Sequence, residues 1–110
     1  MKKTEFKNDK YKKSRGGYSR LLDVSCEKCE NHICFYQKDG PGMLKRMYLD
    51  RIYESKKYSD LQNESLKKIP QLVCSSCYTL LGVPVVYEKE SRLAYRLFAG
   101  SVSKKISKQK

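Results

Sequence analysis

Cys26-Glu27-Lys28-Cys29 and Cys74-Ser75-Ser76-Cys77 are two C-x-x-C turns in one chain of 110 residues. The spacing lets both thiolates of a tight turn reach the same metal ion. Two such turns supply four soft sulfur ligands, the tetrahedral set that a structural Zn²⁺ takes at about 2.3 Å per bond. Compact zinc ribbons leave about 15–20 residues between the pairs. Here 44 residues intervene, room for a folded hairpin between two local knuckles. A redox C-x-x-C would open a helix, whose dipole lowers a thiol pKa, and neither pair precedes a helical pattern. The spacing predicts one structural Zn²⁺ held by Cys26, Cys29, Cys74 and Cys77.

Composition makes such a metal useful. The chain has no tryptophan and three phenylalanines, and a third of its residues are charged. A domain this small is marginal on core burial alone, whereas structural zinc contributes roughly 10–16 kcal/mol at neutral pH. Met1-Lys2-Lys3-Thr4-Glu5-Phe6-Lys7 is basic but is followed by no apolar stretch, so no signal peptide is expected. No apolar run reaches the roughly 18–20 residues of a membrane span. Cysteine pairs in a reducing cytosol read as metal ligands rather than disulfides.

The net charge of +12 is unevenly placed: residues 1–20 carry +6, residues 101–110 carry +4, and the eighty between them only +2. Residues 1–20, with Lys10, Lys12, Lys13, Arg15 and Arg20, therefore read as a flexible basic arm, and residues 101–110, with Lys104 and Lys105, as a basic tail. Phe6, Tyr11 and Tyr18 interleave with the arm's cations, so aromatic rings are available to stack on bases while lysines neutralise phosphates. A merely solubilising tail is the plain alternative.

Between the tails the pattern is β. Leu22, Val24 and Cys26 alternate with Asp23 and Ser25, a strand leading into the first knuckle. Ile33-Cys34-Phe35-Tyr36-Gln37 is β-prone and stops at Asp39-Gly40-Pro41-Gly42, a turn-forming run. Residues 43–53 fit either a returning strand or a short helix. Aligning Cys26 with Cys74 places Cys34 on Gly82 and residues 43–49 on residues 92–98, and this weak repeat favours the strand. Val83 to Phe98 reads as strand, turn and strand. The insert 54–70 carries Ser59 and Gln62 at capping-box spacing and reads as a short helix or loop. The fold class expected is all-β: two knuckle-plus-hairpin halves over residues 21–100, pinned by one Cys₄ zinc site, with disordered basic tails.

Two C-x-x-C motifs some forty-odd residues apart, each followed by a hairpin, resemble the β-tent and zinc-ribbon-like proteins. Among these are the Yippee proteins, the thalidomide-binding domain of cereblon and the methionine-R-sulfoxide reductases. The resemblance implies two sheets pinned by one Zn²⁺. The reductases add a nucleophilic cysteine after the second knuckle and the cereblon-type domain a tryptophan cage. Neither feature is present here, since no cysteine follows Cys77 and the chain has no tryptophan.

A lone histidine, His32, three residues after Cys29, has Leu80 as its counterpart and reads as a strand position rather than a ligand. Cys34 reads as a small core residue; a Cys34-dependent thiol enzyme is the remote alternative. With no other catalytic constellation, the sequence points to a non-catalytic module binding RNA, the ribosome or, less favoured, DNA. The tails and the hairpin positions Lys45, Arg46, Arg51, Arg92 and Arg96 would carry that contact. A protein- or peptide-binding adaptor on the same scaffold is the alternative.

Overall fold

The alternation of Leu22, Val24 and Cys26 with polar residues becomes strand β1 (Ser19–Cys26) in the computed structural model, which describes residues 6–55 and 57–107. Those three side chains are buried. β2 (His32–Asp39) returns antiparallel, with Leu22 opposite Tyr36 and Val24 opposite Cys34. The second half repeats this: β5 (Leu72–Val73) and β6 (Leu80–Tyr87) pair with Leu72 opposite Gly82. Cys34 and Gly82 thus hold the same ladder position, as the internal alignment predicts. Glycine is needed at the second, because a Cβ on Gly82 would stand 2.8 Å from the Arg96 carbonyl oxygen. In both halves the knuckle is itself the hairpin turn, rather than a base from which a separate hairpin rises.

β3 (Arg46–Tyr48), β4 (Ile52–Tyr53), β7 (Arg92–Leu97) and β8 (Val102–Ile106) complete two four-stranded sheets, ordered β4-β2-β1-β8 and β3-β7-β6-β5. Residues 43–53 are therefore not one strand. A 3₁₀ turn over Leu49–Arg51 divides them, sending β3 to β7 and β4 to β2. Met47, Tyr48, Leu49, Arg51 and Ile52 are all buried, which a straight strand with side chains on alternating faces does not allow. The tail expected at 101–110 is also corrected, because residues 102–106 form β8 against β1, with Val102 opposite Cys26 and Lys104 opposite Val24. The two apolar residues and the backbone hydrogen bonds of an otherwise open edge outweigh the lysines. Residues 108–110 lie outside the described residues. Each half thus lends one edge strand to the other half's sheet.

The described residues of the insert form turns and a single 3₁₀ turn at Leu66–Lys68, not the helix that Ser59 and Gln62 suggest. Ser59 turns back instead, its hydroxyl accepting from the Ser55 amide at 3.1 Å. Tyr58 anchors the insert: its buried ring meets Tyr95 edge-on, and its hydroxyl accepts from the Val73 amide at 3.0 Å.

The basic arm is likewise folded over its described part; residues 1–5 lie outside it. α1 (Lys10–Ser14) is capped by Asp9, whose carboxylate accepts from the Tyr11 and Lys12 amides. The same carboxylate accepts from Arg51 Nη2 at 2.7 Å. Arg51, fully buried, also reaches Asp39 at 3.0 Å and Asp50 at 3.3 Å. Asp50 and Glu90 in turn hold Arg92 at 2.8 and 3.2 Å, and Glu90 holds Arg15 at 2.8 Å. The Arg92 guanidinium lies between the rings of Tyr11 and Tyr48, 3.9 and 3.8 Å from their centroids. Three guanidiniums and four carboxylates drawn from four distant stretches thereby fasten residues 7–15 to both sheets. The turn at 39–42 meets the same segment: Gly40 has φ +72°, and a Cβ there would collide with the Arg15 carbonyl.

Removing one member of a buried ion cluster leaves its partners uncompensated, so Arg51→Ala is expected to cost about 3–5 kcal/mol in denaturant unfolding. Burial alone would raise the Asp9 pKa, but the Arg51 hydrogen bond and charge and the Lys12 and Tyr11 amides bring it from 3.8 to about 2. A carboxyl depressed in the folded state stabilises above its unfolded pKa and loses that contribution as it protonates. Stability should therefore fall between about pH 4 and pH 2. In Asp9→Asn that fall should be shallower, as read by thermal melts across the window.

Candidate metal centre and basic face

The two knuckles have the same backbone. The Cys26 amide donates to the Asn31 carbonyl at 2.8 Å and the Cys74 amide to the Thr79 carbonyl at 3.0 Å. The Glu30 amide returns to the Cys26 carbonyl at 2.8 Å, and the Tyr78 amide to the Cys74 carbonyl at 2.9 Å. Closing each turn requires a left-handed residue four places after its first cysteine, and Glu30 and Tyr78 sit there at φ 64° and 62°. Non-glycine residues are costly in that conformation, so both knuckles hold strained backbone at the base of the thiol cluster.

The four sulfurs of Cys26, Cys29, Cys74 and Cys77 lie within 4.8 Å of one another. Cys26 and Cys77 are 3.7 Å apart, Cys29 and Cys74 3.5 Å. Sulfurs bound tetrahedrally at about 2.3 Å stand about 3.8 Å from each other, so the cluster fits a single metal ion. Its electrostatics agree. Hydrogen bonds from the Thr79 hydroxyl and amide draw the Cys77 thiol down to about 6. Cys74 is lowered too, by the Cys77 and Ser76 amides against its own burial. Cys29, despite the Asn31 amide, is pushed up to about 11 by desolvation and the neighbouring sulfurs. Four crowded thiols cannot all ionise without a cation to take their charge.

His32 lies outside the cluster, its Nδ1 2.7 Å from Asp23 Oδ1. Cys34 is fully buried behind the first knuckle, and desolvation together with Asp23 pushes its thiol up to about 12. A thiol so placed is shielded from solvent and resists deprotonation.

The cations expected to face a polyanion divide into two groups. Arg51 and Arg92 are corrected: both are buried in the ion cluster, because Asp9, Asp39, Asp50 and Glu90 converge on them from elsewhere in the chain. Lys10 and Lys13 are exposed on α1, and Lys12 lies 5.6 Å from the Phe6 centroid. Lys105 is exposed opposite Asp23. The rest come together. Arg15, Lys45 and Arg46 line a cleft of about 280 Å³ with Lys38, and Lys45, Arg46, Arg96 and Lys104 line an adjoining groove of about 780 Å³. Arg20 pairs with Lys38 across β1 and β2.

Lys38 is the member absent from the expected set. It is buried, with Nζ donating to the Gly40 and Pro41 carbonyls at 3.2 and 3.1 Å. Burial, then the charges of Arg20, Arg15 and Lys104, lowers its pKa despite Asp39. Its place beside the Gly40-Pro41-Gly42 turn was the available signal.

Metal analysis of the purified chain is expected to give one ion per molecule; Cys29→Ser should lose it and Cys34→Ala retain it. Glu30→Gly and Tyr78→Gly should each relieve left-handed strain and stabilise the metal-loaded protein by about 1 kcal/mol, measured by denaturant unfolding.

Among the described residues no helix is long and apolar enough to cross a membrane. No protein-family model, curated protein or solved structure matches the chain.

Proposed function

We propose that the chain is a structural-zinc module of the β-tent kind that binds nucleic acid, RNA before DNA, without catalysis. The all-thiolate set and the 3.5 and 3.7 Å sulfur separations support zinc. A closed Cys₄ site has no open position for water or substrate, so the metal's contribution is to hold the two hairpin turns together. The β-tent assignment rests on two equivalent knuckle hairpins, one in each of two antiparallel sheets.

One observation carries the binding assignment: Lys45, Arg46, Arg96 and Lys104, from separate parts of the chain, line one groove, and Arg15, itself paired with Glu90, and Lys38, its Nζ held by two carbonyls, extend the cationic lining into the adjoining cleft. Asp39 is the one carboxylate in either lining, and it is already engaged by Arg51, Gln37 and Ser19. A positive field of this kind favours phosphate and releases counterions when phosphate binds. Since residues 7–15 are docked, the contact belongs to this face rather than to a loose arm.

Fluorescence anisotropy with mixed RNA tests it. Affinity should fall by at least tenfold between about 50 and 200 mM salt, and the exposed-site double variant Lys45→Glu/Arg96→Glu should bind at least about tenfold more weakly at low salt. Salt-independent binding, or full affinity in the double variant, would remove the assignment.

A further inference from the structure

The larger groove is not only basic. Its lining includes the exposed apolar side chains of Val86 and Phe98, with Met43 standing at its lip, 78% exposed, and the half-buried Val85 and Leu97. Lys45, Arg46, Arg96 and Lys104 supply its charge, and no carboxylate belongs to the lining. Arg46 is held in place there: its guanidinium lies 4.2 Å from the Tyr87 ring centroid and donates to the Tyr48 hydroxyl at 3.4 Å. The segment Met43–Arg46 is shared with the smaller cleft, where Lys38 and Arg15 continue the positive charge. An occupant of both clefts must carry repeated negative charge and present apolar groups between those charges.

We infer that the groove takes a single strand of nucleic acid, its bases against Met43 and Phe98 and its phosphates on Lys45, Arg46, Arg96 and Lys104. This rests on the nucleic-acid assignment above and narrows it. A duplex keeps its bases stacked inside and offers this lining nothing apolar, and a lipid headgroup carries charge at one end only. A single strand has one phosphate and one flat, poorly hydrated base per unit, the combination that basic grooves with stacking side chains bind. Arg46, held over the Tyr87 ring, is preoriented for phosphate, which reduces the ordering cost on binding.

The test is anisotropy with the full-length, metal-loaded protein and four probes. These are a labelled twelve-nucleotide oligo-U, an abasic strand of the same length, a twelve-base-pair RNA duplex and an acidic Glu/Leu peptide. Oligo-U is expected to bind about tenfold more tightly than the abasic strand or the duplex. Its log–log salt slope should be about −3 for four phosphate contacts. Met43→Ser/Phe98→Ser should weaken oligo-U about tenfold and leave the abasic strand unchanged. Equal affinity for oligo-U and the abasic strand or duplex overturns the single-strand inference while the nucleic-acid assignment stands. Tighter binding of the peptide than of any nucleic acid, or no binding of nucleic acid at all, overturns both. The abasic comparison uses the unaltered protein, so it decides the matter even if the double variant fails to fold.

Discussion

Four thiols held within 4.8 Å of one another are unstable company unless a cation joins them, and the two sheets meet through that requirement. Each pair sits at the turn of an antiparallel hairpin, where backbone hydrogen bonds leave the sulfurs projecting from the end of the ladder. The left-handed strain at Glu30 and Tyr78 persists because the surrounding turn over-determines it. Once the turns are joined, the register of both sheets is set from one end: Cys34 and Gly82 fall opposite Val24 and Leu72. The exchange of β3 and β8 then ties the sheets a second time, along their edges.

A different interaction closes the N-terminal side. Arg15, Arg51 and Arg92 share Asp9, Asp39, Asp50 and Glu90, in surroundings where neither sign is stable alone. Replacing water around buried charge is expensive, and the cluster offsets it with many short hydrogen bonds and with Tyr11 and Tyr48 stacked on Arg92. A cluster of this kind adds specificity of arrangement more than net stability. It also sorts the cations: Arg51 and Arg92 are consumed by structure, Arg15 is paired with Glu90 while lining the smaller cleft, and Lys45, Arg46, Arg96 and Lys104 line the larger groove. The proposed binding face is what remains after the interior has taken its share.

The four-thiol cluster was legible because its members are local pairs, and a C-x-x-C turn presents two sulfurs whatever surrounds it. The strand positions of β1, β2, β6 and β7 were legible for the same reason, since alternation and turn residues act over a few residues. Residues 43–53 were not, because a 3₁₀ turn lets five of eight side chains from Arg46 to Tyr53 be buried and so erases the period. The tails were misread because counting charge by segment omits the partners: Asp9 looks like one acid in a basic arm until Arg51, 42 residues away, is placed beside it.

By itself, then, the sequence determined the four-cysteine clasp, the β character of the body and the total positive charge, all of which depend on residue type and short spacing. The tertiary structure alone decided which cations are free. Burial and long-range pairing withdrew Arg51 and Arg92 from the surface, brought Lys38 into the basic face, and set Met43 and Phe98 beside Arg96 and Lys104. Those juxtapositions join residues far apart in the chain, and no local pattern encodes them.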